Sequence, residues 1–349
     1  MNAAYATFVA SSAALGGFLF GFDSAVINGA VPGIQATFQS SSAGTGFAVA
    51  SILLGCAAGA LFAGRLADRI GRRATLALTG LCFALTALWT GWVGSELTFN
   101  LARLLSGVAV GAASVVSPAY IAEISPAPLR GRLSALNQMG VVIGIFIALL
   151  SDDVVAHWAG GIGASFWLGL EAWRWMFLAE LVPALLLVLA TLWMPESPRH
   201  LVARGRDAQA LAVMRRFDRG VDRSEIDAIR ATFAQATRPR WRDLLGANGG
   251  LLPIVWVGIV LSCLQQLVGI NVIFYYGTTL WEAVGFAAGD SLAINLVSGG
   301  INIAATVLAI ALIDRVGRRP LLLWGAVGMV LALSVLAAAL STAQADASG

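Results

Sequence analysis

The sequence predicts an all-α polytopic membrane protein with about nine transmembrane helices. Of its 349 residues, 58% are apolar, only 12% are charged and 39 are glycine, and the mean hydropathy is +0.81. A soluble domain carries about twice this charged fraction and less glycine. The composition therefore excludes a disordered chain, a disulfide scaffold and an ordinary cytosolic enzyme, and it makes the lipid bilayer the expected solvent.

Nine apolar stretches account for the predicted helices, since a helix needs roughly 20 apolar residues to cross a bilayer. Several of them exceed one straight crossing, so we expect tilted or broken helices. No positively charged segment precedes the first stretch and no cleavage site follows it, so a cleaved signal peptide is not expected. In chain order the stretches are residues 8–31, 46–64, 74–94, 98–122, 133–151, 172–194, 250–281, 291–313 and 320–341.

Arginine marks one end of the predicted bundle. Twenty of the 22 basic residues lie in loops on a single side, after the second, fourth, sixth and eighth stretches. The opposite loops 32–45, 152–170 and 282–290 contain none. Because positively charged loops stay in the cytoplasm, the pattern predicts a multi-pass protein of the cell inner (plasma) membrane with a cytoplasmic N-terminus. Nine crossings then leave the C-terminus outside.

One polar segment divides the chain into three predicted parts: an N-terminal six-helix bundle (1–194), a cytoplasmic helical linker (195–249) and a partial C-terminal bundle (250–349). Ser197 is an N-cap followed by a proline at the first helical position, and residues 222–225 have capping-box spacing. We expect two or three short helices here, divided near Gly220. A solvated segment along the anionic inner leaflet and a regulatory docking site both remain open.

A six-residue loop occurs twice in the chain. Residues 68–73 read Asp-Arg-Ile-Gly-Arg-Arg and residues 314–319 read Asp-Arg-Val-Gly-Arg-Arg, an offset of 246 residues and six apolar stretches. Two halves of six helices each are the plan of a large class of secondary transporters. The repeat therefore predicts a carrier of which three further helices would follow residue 349. Two unrelated tight basic turns are the alternative.

Three ionisable residues lie inside predicted helices: Asp23, Arg103 and Glu180. Such residues are costly in a bilayer, so each is a functional-site hypothesis by default. A helical rise of about 1.5 Å per residue places Asp23 about 8 Å, Arg103 about 7 Å and Glu180 about 12 Å from the outer face. All three can meet if their helices pack together. Protonation of the aspartate would then release the arginine and couple a proton to conformation.

Amides suit a dry polar pocket, because they both donate and accept hydrogen bonds without net charge. Gln265 and Asn271 are six residues apart, about 240° around an ideal helix, so one straight helix cannot present both to one pocket. Gly269 between them allows an unwound segment. Tyr276, roughly 16 Å farther out on nearly the face of Gln265, suits an outer gate with Tyr275 beside it. The amides that meet the need are Gln138, Gln265, Gln266, Asn271 and Asn302.

No motif predicts an enzyme, a cofactor or a metal site. The three cysteines lie inside apolar stretches without disulfide or metal-ligand spacing. No nucleophile–base pair and no nucleotide-binding loop accompanies them. The net charge of +3 is distributed among membrane loops and forms no patch for nucleic acid.

Longer motifs resemble the sugar porter family of the major facilitator superfamily, particularly its bacterial proton-coupled members. The matching pieces include Gly21-Phe22-Asp23, the loop 64–73 and the segment 117–123, although Gly-Arg-Arg alone marks only the superfamily. Pro-Glu-Ser-Pro-Arg at 195–199 together with Gln-Gln-x-x-Gly-Ile-Asn at 265–271 is highly specific to sugar porters. The resemblance covers nearly the whole chain and implies a major-facilitator-type helix bundle.

The resemblance implies a role for each candidate residue. Asp23 would bind the coupling proton, with Arg103 as partner and Glu180 as accessory; facilitative members commonly carry a neutral residue at the Asp23 position. The five amides would bind sugar hydroxyls, with Phe20 as an apolar wall. An inner salt-bridge network, which links the two halves in the outward-facing state, would comprise Asp68, Arg69, Arg72, Arg73, Glu123, Arg130, Glu196, Arg199, Asp314, Arg318 and Arg319.

Together these features predict a monomeric carrier for proton-coupled uptake of a monosaccharide, a hexose or a pentose, with the bilayer, protons and the sugar as its partners. Three narrower interpretations remain open: an ion pair that only orients helices, amides that only join neighbouring helices, and arginines that only set topology. Topology alone does not explain the interleaved acids. For the whole chain, a non-transporting sugar sensor and an inactive fragment of a longer carrier are the alternatives.

Overall fold

A computed structural model of the chain describes residues 2–235, 244–245, 250–283 and 285–347, and every regular element in these ranges is a helix. The all-α prediction is therefore confirmed. Short 3₁₀ turns lie at Ala127–Leu129 and Trp167–Gly169. The α-helices are α1 (Ala3–Phe38), α2 (Ser42–Ile70), α3 (Arg72–Gly91), α4 (Glu96–Ile124), α5 (Arg130–Ala159), α6 (Ala172–Ala179), α7 (Leu181–Trp193), α8 (Pro198–Ala203), α9 (Asp207–Phe217), α10 (Arg223–Gln235), α11 (Pro253–Leu267), α12 (Ile270–Ala283), α13 (Ala288–Val316) and α14 (Arg318–Ala347).

Eight stretches of the described chain are long and apolar enough to cross a membrane: α1 to α5, α6 with α7, α13, and α14. The remaining predicted crossing is divided into α11 and α12, of 15 and 14 residues. Gly269 lies between them with φ +84°, a left-handed backbone that glycine adopts without a steric penalty. The nine predicted crossings are thus eight helical stretches and one broken one.

Several crossings are longer than predicted, α1 for example reaching Phe38 and not ending at residue 31, and the difference at α5 matters most for the site. The sequence interpretation assigned residues 152–170 to a loop, but α5 continues to Ala159 and ends at Gly160, whose φ of +82° caps it. Two aspartates, Asp152 and Asp153, directly follow the predicted end of this stretch. Asp152 is in fact fully buried against neighbouring helices.

The chain forms two compact units, Met1–Gly300 and Ile301–Gly349. The first unit contains α1 to α12, the first part of α13 and the buried apolar clusters. The second contains the rest of α13 and α14. The division into parts 1–194, 195–249 and 250–349 stays a prediction.

Helices α1 and α5 approach each other at backbone distance. A Cβ atom added to Gly21 would lie 1.9 Å from the carbonyl oxygen of Val141, and one added to Gly144 would lie 2.1 Å from that of Phe18. Helices α2 and α4 meet in the same way through other glycines. Small residues permit such close contact between helices in lipid. This packing fixes the helices that carry the polar residues described below.

Three short helices follow the sixth crossing, at the end of the bundle where the arginine-rich loops lie, which we call the basic end. Ser197 caps α8, because its Oγ accepts from the backbone N–H of His200. Helices α8, α9 and α10 pack through a small cluster that includes Leu201 and Ile226. The start of α1 is tied to α9, since the Asn2 N–H donates to the Phe217 carbonyl at 2.6 Å. The linker is therefore joined to the N-terminal helices.

Candidate functional site

A buried ion pair lies between α1 and α4. Arg103 Nη1 donates to Asp23 Oδ1, Ser106 Oγ donates to Asp23 Oδ2, and Arg103 Nη2 donates to the Asp23 carbonyl at 3.2 Å. The side chains of Asp23 and Arg103 are 0% and 1% exposed. Ser106 shares a face of α4 with Arg103 because the two are three residues apart. Sequence reasoning missed Ser106, although this spacing could have identified it.

The third predicted member, Glu180, is buried at the junction of α6 and α7. Its Oε1 has no hydrogen-bond partner, and no hydrogen bond in the described chain joins it to the ion pair. Phe177, one turn earlier, does reach the pair: the Arg103 Cζ lies 5.3 Å from the centroid of its ring. The face of an aromatic ring attracts a cation. Arg103 is therefore held by one carboxylate and one ring.

The five predicted sugar-binding amides are only partly brought together. Gln266 Oε1 accepts from Asn271 Nδ2 at 2.9 Å, across the break that Gly269 makes. Gln138 and Gln265 are exposed, and within the described residues no hydrogen bond joins them to that pair. Asn302 lies in the second unit. The predicted wall residue Phe20 is half-buried and packs against the cluster around Leu19.

The two predicted gate residues lie near the other end of the bundle, which we call the opposite end. Tyr275 and Tyr276 are half-buried and pack against a buried cluster that includes Phe22 and Trp173. Tyr276 interrupts α12, with φ −123° and ψ 17°. A Cβ atom added to Gly46 of α2 would lie 3.9 Å from its hydroxyl oxygen.

A polar cluster that sequence reasoning missed joins α1 to α12 and α13 at the opposite end. Asn28 Oδ1 accepts from the Thr278 N–H at 2.9 Å, from the Thr278 hydroxyl at 2.8 Å and from Asn295 Nδ2 at 3.1 Å. Asn28 Nδ2 donates to the Phe274 carbonyl at 3.0 Å. The side chains of all three polar residues are buried. We call Asn28, Thr278 and Asn295 the asparagine cluster.

Charges at the basic end form a second, more solvent-exposed network around Arg72 and Glu123. Arg72 Nε lies 3.0 Å from Glu123 Oε2, and its Nη2 lies 3.1 Å from Glu123 Oε1 and 2.9 Å from Asp68 Oδ1. Ser197 Oγ also donates to Glu123. The Arg72 and Glu123 side chains remain 15% and 14% exposed. We call these residues with Glu196 the basic-end network.

Glu196 adds backbone bonds to this network. Its Oε1 accepts from the backbone N–H groups of Arg72 at 2.8 Å, Arg73 at 3.4 Å and Ser197 at 2.9 Å. Several other predicted members take different partners: the Arg73 side chain donates to the Leu192 carbonyl, and that of Arg199 lies over the ring of Phe233. Among the described residues no ion pair involves Arg69, Arg130 or Arg319, and the side chains of Asp314 and Arg318 lie outside the described residues.

His200 completes the basic-end contacts. Arg72 Nη1 donates to its Nδ1 at 3.3 Å, a bond that requires a neutral imidazole nitrogen. Burial lowers the pKa of His200, and the nearby Arg72 and Arg204 act in the same direction while Glu196 and Asp68 oppose them. Burial and the contact with Arg72 therefore both favour the neutral form of His200.

The family model described as sugar (and other) transporter matches residues 9–349. The chain belongs to the sugar transporter family. The prediction made from Pro-Glu-Ser-Pro-Arg and Gln-Gln-x-x-Gly-Ile-Asn is thereby confirmed.

Relatives of this family member include carriers of several sugars. It is 51% identical over 336 residues to the glucose transport protein of Synechocystis sp., an alignment that covers 96% of this chain and 72% of the relative. It is 32% identical over 368 residues to the D-xylose-proton symporter of Escherichia coli, and this alignment covers 98% of this chain and 73% of the symporter.

Solved structures agree with the fold. The chain superimposes on the E. coli xylose transporter XylE in a partially occluded inward-open conformation with a TM-score of 0.79, 32% identity and coverage of 91% and 75%. With XylE bound to 6-bromo-6-deoxy-D-glucose the TM-score is 0.80, again at 32% identity, with coverage of 92% and 72%. The major facilitator fold is therefore confirmed.

Proposed function

We propose that this chain takes up a monosaccharide, a hexose or a pentose, together with protons, by alternating access. The observation that carries the proposal is the isolated Asp23–Arg103 pair, which is fully buried inside a helix bundle of a sugar transporter. Its acid is placed where a proton can change the contacts of one helix with another. The glucose and xylose-proton carriers among the relatives support the substrate class.

Asp23 is the proton site in this proposal. While ionised, it is matched by Arg103 and by the hydroxyl of Ser106. A proton on the carboxyl group removes the attraction for the guanidinium, which leaves Arg103 with the Asp23 carbonyl and the ring of Phe177 as its close partners. Breaking a buried pair from one side is strongly unfavourable, so protonation favours a rearrangement of α1 against α4. Glu180 is an accessory acid beside this path.

The sugar is bound by amides around the break between α11 and α12. Gln266 and Asn271 are joined across it, so the unwound backbone presents both amides from one place. From the family resemblance we also assign Gln138, Gln265 and Asn302 to sugar hydroxyls and Phe20 to an apolar wall. Tyr275 and Tyr276, farther along α12, are the outer gate. Each amide can donate to one hydroxyl and accept from another.

Two sets of contacts close the carrier at its two ends. The asparagine cluster joins α1 to α12 and α13, and so closes the opposite end. The basic-end network joins α2, α3, α4 and α8, and we assign Arg69, Arg73, Arg130, Arg199, Asp314, Arg318 and Arg319 to its surroundings in the outward-facing state. Sugar transport requires these two closures to open in turn.

The basic end is assigned to the cytoplasm by the positive-inside rule, which places the N-terminus there and the protein in the inner membrane. The opposite end then faces outward. We further propose that the carrier is a monomer surrounded by lipid and that it performs no covalent chemistry.

Uptake by proteoliposomes tests the proposal. The 349-residue chain is reconstituted, and radiolabelled glucose and xylose are supplied with an imposed inward proton gradient. We expect accumulation above the external concentration, and we expect Asp23→Asn to abolish accumulation but to retain counterflow exchange, because the amide permanently mimics the neutral acid. Asp153→Asn, at a half-buried position next to Asp152 on α5, is the matched control and should accumulate normally.

The outcomes separate the alternatives. Undiminished accumulation by Asp23→Asn would remove Asp23 from the proton site. Sugar binding without any uptake would favour a sensor, and neither binding nor uptake would favour an inactive fragment.

A further inference from the structure

A second buried acid lies in the membrane helices, apart from the Asp23–Arg103 pair. Asp152 of α5 is 0% exposed, and both of its carboxylate oxygens lack a hydrogen-bond partner among the described residues. An ionised carboxylate in such surroundings would carry the full penalty of its desolvation. Asp152 therefore fits this arrangement only as the neutral acid.

Its place in the bundle connects it with the asparagine cluster. The carboxyl group lies against Gly29 of α1, where an added Cβ atom would be 2.6 Å from both Cβ and Oδ2 of Asp152. Gly29 directly follows Asn28, the centre of that cluster. Asp152 therefore packs against the turn of α1 that carries Asn28, the residue that binds α12 and α13.

Helix α13 covers the same face of α5. Ala148 and Ala156, one turn before and one turn after Asp152, belong to the apolar cluster that contains Leu292 of α13. Farther along, a Cβ atom added to Gly299 would lie 3.1 Å from Leu149 of α5. In the proposed alternating access, movement of α13 away from α5 would let water reach this face of α5.

Among the described residues, no basic side chain is bonded to Asp152 to keep it ionised. Asp23 is bonded to Arg103, and Glu171 is paired with Arg174 at 3.1 Å. Neither oxygen of Asp152 is bonded to any ionisable group in the described chain. The other ionisable groups toward this end, on α5 and the helices packed against it, are Asp153, His157, Asp23, Glu96, Arg103, Glu171, Arg174, Glu180, Glu282 and Asp290.

We propose that Asp152 is a gating acid: it takes a proton from the outer solution when the opposite end closes and returns it to that solution when the end opens. The O–H bond forms with a proton from external water and breaks by transfer back to it, so no proton is carried across the membrane. The stoichiometry of transport is therefore unchanged, while external acidity favours closure. The inference rests on the proposed function only for the alternate opening of the two ends.

Infrared spectroscopy tests the protonation directly and needs no transport. We expect wild-type protein in nanodiscs at neutral pH to show a C=O stretching band of a protonated carboxylic acid that Asp152→Asn loses and that Asp153→Asn retains. Asp152→Leu, which is similar in size and cannot be charged, provides a second variant that should fold because no hydrogen bond is removed. An unchanged band in both Asp152 variants would overturn the proposal.

Sugar exchange tests the gating role. The background is Asp23→Asn, in which the coupling acid no longer titrates, with equal sugar inside and outside and the external pH raised. We expect exchange to slow as the external solution becomes alkaline, the further change Asp152→Asn to abolish that dependence, and Asp153→Asn to keep it. Exchange by Asp23→Asn that is already independent of external pH would overturn the gating role; accumulation by Asp23→Asn would contradict the proposed function instead.

Discussion

Two arginine–carboxylate pairs in this protein have the same chemistry and different surroundings. The Asp23–Arg103 pair is completely buried and has one hydroxyl and one aromatic ring as its further partners. The Arg72–Glu123 pair at the basic end is about one seventh exposed and shares its charges with Asp68 and Ser197. If one member of the first pair is lost, no other ion-pair partner is bonded to the remaining charge among the described residues. In the second pair, the remaining charge keeps Asp68 or Ser197 and contact with water.

Under the proposed function, this difference gives each pair a separate part in alternating access. A single buried pair responds to one proton, because water does not solvate or screen either charge. Partly exposed pairs contribute roughly 0–1 kcal/mol each, so only several together can hold one end of the bundle closed. The buried pair is suited to sense a proton, and the basic-end network is suited to be made and broken reversibly.

Removal of Arg103 should have the largest effect. Arg103→Met leaves Asp23 buried without its cation, and we expect a loss of about 3–5 kcal/mol in the free energy of unfolding. SDS-driven unfolding in mixed micelles measures it. Asp23→Asn combined with Arg103→Met should recover most of the loss, since no charge is then unpaired. A double variant as unstable as the single one would show that Arg103 acts by packing alone.

A change at Glu123 should have an intermediate effect. Glu123→Gln weakens the bonds from Arg72 and Ser197, but Arg72 keeps Asp68 and contact with water. We expect a loss of about 1–2 kcal/mol, below that of Arg103→Met. The same unfolding assay compares the two variants, and equal losses would contradict the contrast between the sites.

A change at Asp68 should be smaller still. Its side chain is 70% exposed although it lies 2.9 Å from Arg72. Asp68→Asn should therefore change the free energy of unfolding by about 0–1 kcal/mol. Raising the salt concentration should remove the difference, because exposed charges are screened, and should leave the effect of Arg103→Met in place. A loss at Asp68 that persists in high salt would mean that this pair is effectively buried.

The pH dependence due to His200 should be the smallest effect. Burial lowers the pKa of its imidazole below the usual 6.5, so the unfolded chain binds the proton more readily than the folded one. Stability from this residue is therefore complete above about pH 6.5 and declines as the pH falls through that value. His200→Gln should flatten that part of the profile of thermal unfolding against pH. A profile unchanged by the substitution would mean that His200 is not the titrating group.

The sequence predicted those features that depend on lipid as the solvent. Apolar stretches of sufficient length gave the helices, and the arginine loops gave a consistent topology, because a bilayer demands internal hydrogen bonding and penalises charge. Asp23 and Arg103 could be selected as candidate functional residues for the same reason, because an ionisable residue is rare inside an apolar stretch. Gly269 was readable as a break, since only glycine permits that backbone without strain.

Packing between distant segments was not readable. No sequence feature near Asn28 indicates that its hydrogen bonds are completed by Thr278 and Asn295, about 250 and 267 positions away. Asp152 was misassigned to a loop because its burial depends on α1 and α13 and not on its neighbours in sequence. The sequence by itself determined which helices form and which residues are costly in lipid. Only the tertiary structure decided which of these buried groups have their desolvation compensated by a partner and which, as at Asp152, are neutralised by a proton. The physical reason is that compensation depends on atoms brought together from separate helices.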